Sequence, residues 1–311
     1  VKVGVVGAGY VGLTTAVCLA ERNHDTVCVD IDSGRVARLA GGVVPVDEPG
    51  LPELLGSGLR SGTLRFSENY DELADREVVF VCVPTPRGAD GSADLSAVDA
   101  AVGNLAEVLG PGAVLAMKST VPVGTTRRLS EQLGTHRIRA VSNPEFLRES
   151  HAVYDFRHPD RILIGAEDDT AAETMEQLYG AAAGEAFRMS PESAELAKYA
   201  SNAFLAVKIS YANSLAQLCA RVGADIGDVT RCMGADIRIG PHFLQPGRAG
   251  AARVCPRTPP NYCTPAATTA WSWPRFPRLA GPTEHSPAAS SMPSAVRFPC
   301  RWPRRESRHS D

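Results

Sequence analysis

Hydrophobic positions in this chain gather into short β-branched runs, separated by stretches whose apolar residues recur at helical spacing. Val1, Val3, Val5 and Val6 form the first run and predict a buried strand; Leu13 to Glu21 follows as a helix. Thr26-Val27-Cys28-Val29 is a second strand ending at Asp30. Arg35 to Leu39 continues as a helix that Gly41-Gly42 breaks, and the turn-rich loop from Pro45 to Leu51 precedes another short helix. Glu77 to Val83 predicts a buried strand stopped by Pro84-Thr85-Pro86. Asp94 is the expected N-cap of a helix whose apolar face is Leu95, Val98, Val102 and Leu105. Ala113–Met117, Ile138–Ser142 and Arg161–Gly165 are further strands. Strands alternating with helices predict an α/β fold with a doubly wound parallel sheet.

From Ser190-Pro191-Glu192 the pattern changes. Ser190 suits an N-cap, Pro191 the first helical position and Glu192 the first turn. Ser193 to Val222 contains no Gly or Pro, so it predicts one long helix that bridges domains or packs on a second copy of itself. A short helix around Asp225–Met233 and a loop from Gly234 to Phe243 follow. After Gly247 the periodicity is lost. Pro, Arg, Ser, Ala and Thr dominate to Asp311, Trp271, Trp273 and Trp302 stand among prolines and serines, and an irregular tail is expected. The expected division is residues 1–188, 189–247 and 248–311.

Composition narrows the class. The 311 residues carry a net charge of −3 without a basic stripe in the first 250, which argues against a nucleic-acid partner. No apolar stretch approaches the roughly twenty residues needed to span a bilayer. Val1 opens directly into a strand, so no signal peptide is expected and the cytoplasm is the expected compartment. The eight cysteines lack CxxC spacing, and Cys18, Cys28 and Cys82 sit in apolar runs; they are expected to be buried thiols, with no disulfide and no metal site.

The candidate chemistry begins at the first strand's end. Gly7-Ala8-Gly9-Tyr10-Val11-Gly12 lies between a strand and a helix. There the first glycine permits the tight turn, the second lets a pyrophosphate approach the backbone, and the third lets helix pack on strand. Asp30 lies about twenty residues on, where an acid bonds the adenine ribose of NAD, so a Rossmann-like NAD site is expected. Arg35 tempers the preference against a ribose phosphate. Ligands in such sheets bind beyond the carboxyl ends of strands. Pro84-Thr85-Pro86, Ser119-Thr120 and Glu145 with Glu149 are therefore expected to share one crevice with the glycine turn. Prolines and threonines also simply end strands, and two glutamates four apart on a helix are often a solvated face. Lys198 and Asn202 share a face of the long helix, as a snorkelling lysine beside a polar residue also would.

Together these stretches carry a resemblance. VGVVGAGYVGL, VDIDSGRV, VPVDEPGL, FVCVPTP, KSTVPVGTT, SNPEFLRES, DFRHPDRILIG, ELAKYASNAFLA and RIGPHFL run in order from Val1 to about Gly247. The chain resembles the UDP-glucose/GDP-mannose dehydrogenase family, in its UDP-glucose 6-dehydrogenase branch; GDP-mannose or a UDP-aminosugar is the alternative substrate. The resemblance implies a two-step, four-electron oxidation of a sugar's primary alcohol by two NAD, through a cysteine thiohemiacetal and thioester, to the uronate. It implies that Gly7 to Gly12, Asp30, Arg35, Pro84, Thr85, Pro86, Ser119 and Thr120 hold NAD, with Glu149 on the nicotinamide side. Glu145 would act on water or protons, Thr120 would position that water, and Lys198 and Asn202 would stabilise developing oxyanions. Phe146, Leu147, Arg238 and Phe243 would contact substrate along with Glu145, Glu149, Lys198 and Asn202. Arg238 would reach the neighbouring subunit of a homodimer built on the long helix.

The resemblance fails after Gly247, where the family has a GGSC(L/F)PKD loop carrying the nucleophilic cysteine. Here the chain reads Arg248-Ala249-Gly250-Ala251-Ala252-Arg253-Val254-Cys255-Pro256. Permitted codons for Gly247–Pro259, read out of register, give Pro-Gly-Trp-Gly-Gly-Ser-Cys-Leu-Pro-Lys-Asp-Thr. A frameshift near Gly247 is therefore expected, with the nucleophile's codon straddling Arg253 and Val254. Cys255 lacks the glycine-rich setting, and the family's C-terminal UDP-binding domain is expected to be absent. The second oxidation is accordingly expected to be impaired, the alternative being an inactive NAD-binding or dimerising fragment.

Overall fold

The computed structural model describes residues 1–88, 92–180 and 184–247. The tail from 248 onward, with Cys255 and the three tryptophans, lies outside them.

In chain order the elements are β1 (Lys2–Val6), α1 (Tyr10–Glu21), β2 (Asp25–Val29), α2 (Ser33–Ala40), α3 (Leu51–Ser61), β3 (Leu64–Ser67), β4 (Val78–Val81), α4 (Ser96–Val108) and β5 (Val114–Met117). They continue with α5 (Thr125–Leu133), β6 (Arg139–Ser142), α6 (Ala152–Arg157), β7 (Arg161–Gly165), α7 (Asp169–Tyr179), β8 (Glu185–Met189), α8 (Pro191–Val222) and α9 (Ile226–Gly234). The strands form one sheet in the order β3-β2-β1-β4-β5-β6-β7-β8. Order reverses between β1 and β4, the switch point beside which ligands bind in open α/β sheets.

Helices cover both faces. One core packs α1, α3, α6 and α7 against Val3, Val5, Phe80 and Val114; the other packs α4 and α5 against Val79, Val81, Leu115 and Met117. The central strands are apolar on both sides for that reason.

The sheet is mostly parallel, as expected. The strands from β3 to β6 run parallel. β7 runs antiparallel to β6 and meets it at Ser142 and Gly165 alone, and β8 follows β7 in parallel. β7 therefore runs beside the segment after β6, and Asn143 Nδ2 donates to the Leu163 carbonyl at 2.8 Å. Asp94 is not the N-cap of α4: Leu95 holds that position, and the Asp94 carboxylate accepts from the Ser96 amide at 2.9 Å. Residues 143–148 are loop, so Glu145 and Glu149 do not share a helix face.

The long helix is present. Ser190 caps it through the Ser193 amide at 3.2 Å, and its 32 residues span about 48 Å. Its first turns lie close on β7 because position 165 is glycine. A Cβ there would come within 2.7 Å of the Ala194 Cβ and 2.9 Å of the Pro191 Cα. Among the described residues no helix is long and apolar enough to cross a membrane.

Candidate active site

The glycine turn has the geometry its sequence implies. Gly7 has φ +96°, outside the range most residues adopt, and a Cβ on Gly12 would lie 1.7 Å from the Gly7 carbonyl oxygen. Over Gly9 a Cβ would meet nothing within 4 Å, so the backbone there is open to approach. Asp30 stands at the end of β2, 5% exposed. Its Oδ2 accepts from the Ala8 amide at 2.6 Å and from Arg35 Nη1 at 2.9 Å, while Oδ1 accepts from the Asp32 amide at 2.9 Å. Arg35 is thus engaged by Asp30. An open glycine backbone at a helix N-terminus, with a carboxylate beside it, fits a dinucleotide's pyrophosphate and ribose.

Tyr10 ties this turn to a distant loop. Its hydroxyl donates to the buried Glu48 carboxylate at 2.5 Å and accepts from the Ser150 amide at 3.0 Å. Burial, then the Glu48 carboxylate, holds its pKa above the ordinary phenol value. Glu48 also accepts from the Val153 amide at 3.2 Å. Val11 is half-buried in the first turn of α1.

The ends of β4 and β5 are joined to each other. Thr85 Oγ1 donates to the Thr120 carbonyl at 3.0 Å, and Ser119 Oγ to the Val83 carbonyl at 2.6 Å. Pro84 and Pro86 flank the buried Thr85 and are exposed. Cys82 begins this loop against Gly7 and Gly12; burial pushes its thiol pKa up to about 12, which makes it inert at neutral pH.

Beyond β6, the loop from Asn143 to Glu149 faces the long helix. Lys198 Nζ donates to the Glu145 carbonyl and lies 3.6 Å from the Glu145 carboxylate. It stacks 4.8 Å over the Phe146 ring, which Arg161 approaches from β7 at 4.0 Å. Burial lowers the Lys198 pKa most; Glu145 opposes, and the neighbouring cations Lys118 and Arg161 lower it further. Leu147 is half-buried, its amide donating to Glu145 Oε2 at 2.5 Å. Asn202 lies half-buried one turn along α8 from Lys198. The structure therefore brings Glu145, Phe146, Leu147 and Lys198 together, a carboxylate beside an amine of depressed basicity, with Asn202 one helical turn further along α8.

Three expected residues lie elsewhere. Glu149 is exposed in a turn, its charge acting on Tyr10. Arg238 pairs with Asp236 of its own loop at 2.6 Å and is exposed. Phe243, at φ +62°, lines a cavity of about 350 Å3 with Ile209, His242 and Gly247.

Sequence reasoning missed a buried polar set. Lys118 Nζ donates to Asn143 Oδ1 and to the Tyr179 hydroxyl, both at 3.2 Å, and that hydroxyl donates to Asn143 at 2.6 Å. Glu195, 3% exposed, accepts from Gly124 and Thr126. The available signal was a charged residue inside an otherwise buried stretch, which has to be paired to be tolerated.

With this geometry in place, relatives decide the family. Residues 1–183 match the NAD binding domain of the UDP-glucose/GDP-mannose dehydrogenase family, and residues 192–271 match its central domain. The chain belongs to that family. NAD is the dinucleotide its first domain takes. A UDP-glucose 6-dehydrogenase of Pseudomonas aeruginosa is 49% identical over 255 residues, covering 78% of this chain and 56% of that protein. The structure of a UDP-glucose dehydrogenase from Pyrobaculum islandicum superposes with TM-score 0.74 at 41% identity, over 79% of this chain and 59% of that one. A GDP-mannose dehydrogenase from Pseudomonas aeruginosa gives 0.72 at 28% identity, over 80% and 60%. The chain thus spans under two thirds of the length of these relatives. The central-domain match runs past Gly247, where the quoted motifs stop, into residues outside those described.

Proposed function

We propose that the chain forms the cofactor half and the acid–base part of an NAD-dependent UDP-glucose 6-dehydrogenase acting in the cytoplasm, with residues 1–188 binding NAD and 189–247 supplying the second wall. The observation that carries this reading is Lys198, buried and of lowered basicity, held on Glu145 at the carboxyl edge of a sheet that also presents the glycine turn and Asp30.

NAD, when bound, accepts hydride from the carbon of the primary alcohol. Gly7 to Gly12 with Asp30 and Arg35 would hold it, and Thr85, Ser119 and Thr120 would close the crevice between the ends of β4 and β5. Lys198 and Asn202 would stabilise the substrate oxygen as it loses its proton, and Glu145 would exchange protons with water held by Thr120. Phe146, Leu147, Arg238 and Phe243 would contact the sugar nucleotide, Arg238 from the second subunit of a homodimer, and Glu149 would face the nicotinamide side. Oxidation beyond the aldehyde needs a thiolate, and the chain's reading frame past Gly247 lacks the family's GGSC loop. UDP-glucose is preferred over GDP-mannose as substrate because the matched UDP-glucose enzymes share 41% and 49% identity, against 28% for the GDP-mannose enzyme.

Calorimetric titration of the purified chain with NAD and with UDP-glucose, together with NADH absorbance, tests this. NAD binding without conversion of UDP-glucose to the uronate is expected. Absence of NAD binding overturns the reading, and two NADH per UDP-glucose overturns the impaired second step. The nucleotide sequence of the gene tests the frame independently: a cysteine triplet is expected across the codons of Arg253 and Val254.

A further inference from the structure

The first turns of α8 are fixed to the rest of the fold at three levels. Pro191 and Ala194 lie on Gly165 of β7, and Lys198 reaches the Glu145 loop. Between them Glu195 points at the start of α5. Its Oε2 accepts from the Gly124 amide at 2.6 Å; its Oε1 accepts from the Thr126 amide at 2.8 Å and from Thr126 Oγ1 at 2.7 Å. Glu195 is 3% exposed and Thr126 1% exposed, so the two bonds to Thr126 are made out of water. α5 has no capping side chain of its own, because Gly124 occupies its N-cap. A carboxylate from a helix some seventy positions later takes that role, and at a helix N-terminus it also meets the positive end of the dipole.

The segment Glu195 grips leads directly from Ser119-Thr120, and Glu195 precedes Lys198 by less than one turn on α8. We propose that Glu195 is a positioning residue for the active site: by capping α5 it holds the Ser119–Thr120 loop and the Lys198–Asn202 face of α8 in one fixed frame. This rests on the reading of Lys198 and Glu145 as the acid–base pair. An apolar residue at 195 would leave the buried Thr126 amide and the half-buried Gly124 amide without acceptors and would free α8 to tilt away from α5. Lys198 would then gain water.

The consequence is readable without turnover. The chain contains four lysines, Lys2, Lys118, Lys198 and Lys208, so labelling lysine with 13C at Cε gives four resolvable signals. Lys198 is assigned by its loss in Lys198→Arg. The groups facing Lys198 are Glu145 on the loop after β6, Lys118 at the end of β5 and Arg161 on β7; burial outweighs Glu145, and the two cations act with it. In the unaltered chain the Lys198 signal should titrate below the ordinary lysine range. In Glu195→Gln, which places an amide NH2 against backbone donors, it should move up toward that range, while Lys2, paired with Asp75, stays in place. Thr126→Val removes one of the three bonds at little change of volume and should give a smaller movement in the same direction. Should Glu195→Gln fail to fold, Thr126→Val decides alone.

Leu133→Ala, in the core at the far end of α5, is the control for general loosening. A Lys198 titration that stays put in both latch variants, or that moves equally in Leu133→Ala, overturns the proposal. NAD titration of the unaltered chain is read separately, so failure of the dehydrogenase reading leaves the lysine result intact.

Discussion

Lys198 donates to the carbonyl of Glu145 across 53 positions of chain, and the two side chains remain 3.6 Å apart. One comes from the long helix and the other from the loop after β6, so their meeting is a property of how α8 lies on the sheet. Burial makes the ammonium costly, and that cost depends on pH. The Lys198 pKa is lowered in the folded chain, so between that value and the unfolded one the unfolded chain holds the extra proton. Stability contributed at this position therefore rises as pH rises through that window. Urea unfolding of the unaltered chain and of Lys198→Met, compared at pH 7 and pH 9.5, should show the unaltered chain gaining relative to the variant at the higher pH. A difference independent of pH would mean that the amine is not desolvated.

Asp30 takes three donors, two of them backbone amides at the glycine turn and just after β2. Asp30→Ala removes the acceptor proposed for the ribose hydroxyls and also releases Arg35. Affinity for NAD should fall by about 1.5–3 kcal/mol, roughly tenfold to a hundredfold, the worth of hydrogen bonds to a charged group. Titration calorimetry with NAD and NADP measures both. The freed Arg35 should leave NADP binding less affected than NAD binding.

Gly165 is where α8 approaches β7 most closely, and the space for a methyl group is absent. Gly165→Ala must displace Pro191, Ala194 or Ser142, each within 3.1 Å of the added carbon. The expected cost is about 1–3 kcal/mol, as for other overpacked cores. Chemical unfolding gives the cost directly. The same displacement should disturb the Lys198 contact and leave the glycine turn and NAD affinity intact.

The legibility of this fold in sequence tracks how local each feature is. The turn from β1 into α1 and the acid at the end of β2 were readable because glycine, β-branched and acidic residues each have one physical task there. Ser190 and Pro191 likewise announce the start of α8. β3 and β8 were not readable. Leu64–Ser67 carries one exposed and one half-buried residue among its four, and Glu185–Met189 is exposed along nearly its whole length. Both edge strands are held by pairing to a neighbour, a signal that composition does not carry. The reversal at β7 was hidden for the same reason, since strand direction leaves no trace in apolar pattern. Glu145 was readable as a polar residue beyond the end of a strand, but its backbone conformation was not. Lys118, Asn143, Tyr179 and Glu195 escaped because each finds its partners far away in the chain, and a buried charge is recognisable only once its surroundings are known.

The long helix also presents an apolar stripe. Leu196, Phe204 and Val207 are 49%, 63% and 39% exposed, and their spacing on an α-helix brings them to one side. Burying such a stripe against a second copy would be favourable at roughly 25 cal/mol per Å2 of apolar surface removed from water, and it would bring each subunit's Arg238 loop beside its partner. Phe204 is the most exposed of the three, so Phe204→Glu places a charge where association would have to desolvate it. Light scattering coupled to size exclusion should report a dimer for the unaltered chain and a monomer for the variant at equal concentration. The variant should keep its NAD affinity, because the glycine turn and Asp30 lie in the first domain. A monomer in both cases would remove the homodimer and, with it, the placement of Arg238 in a neighbouring active site.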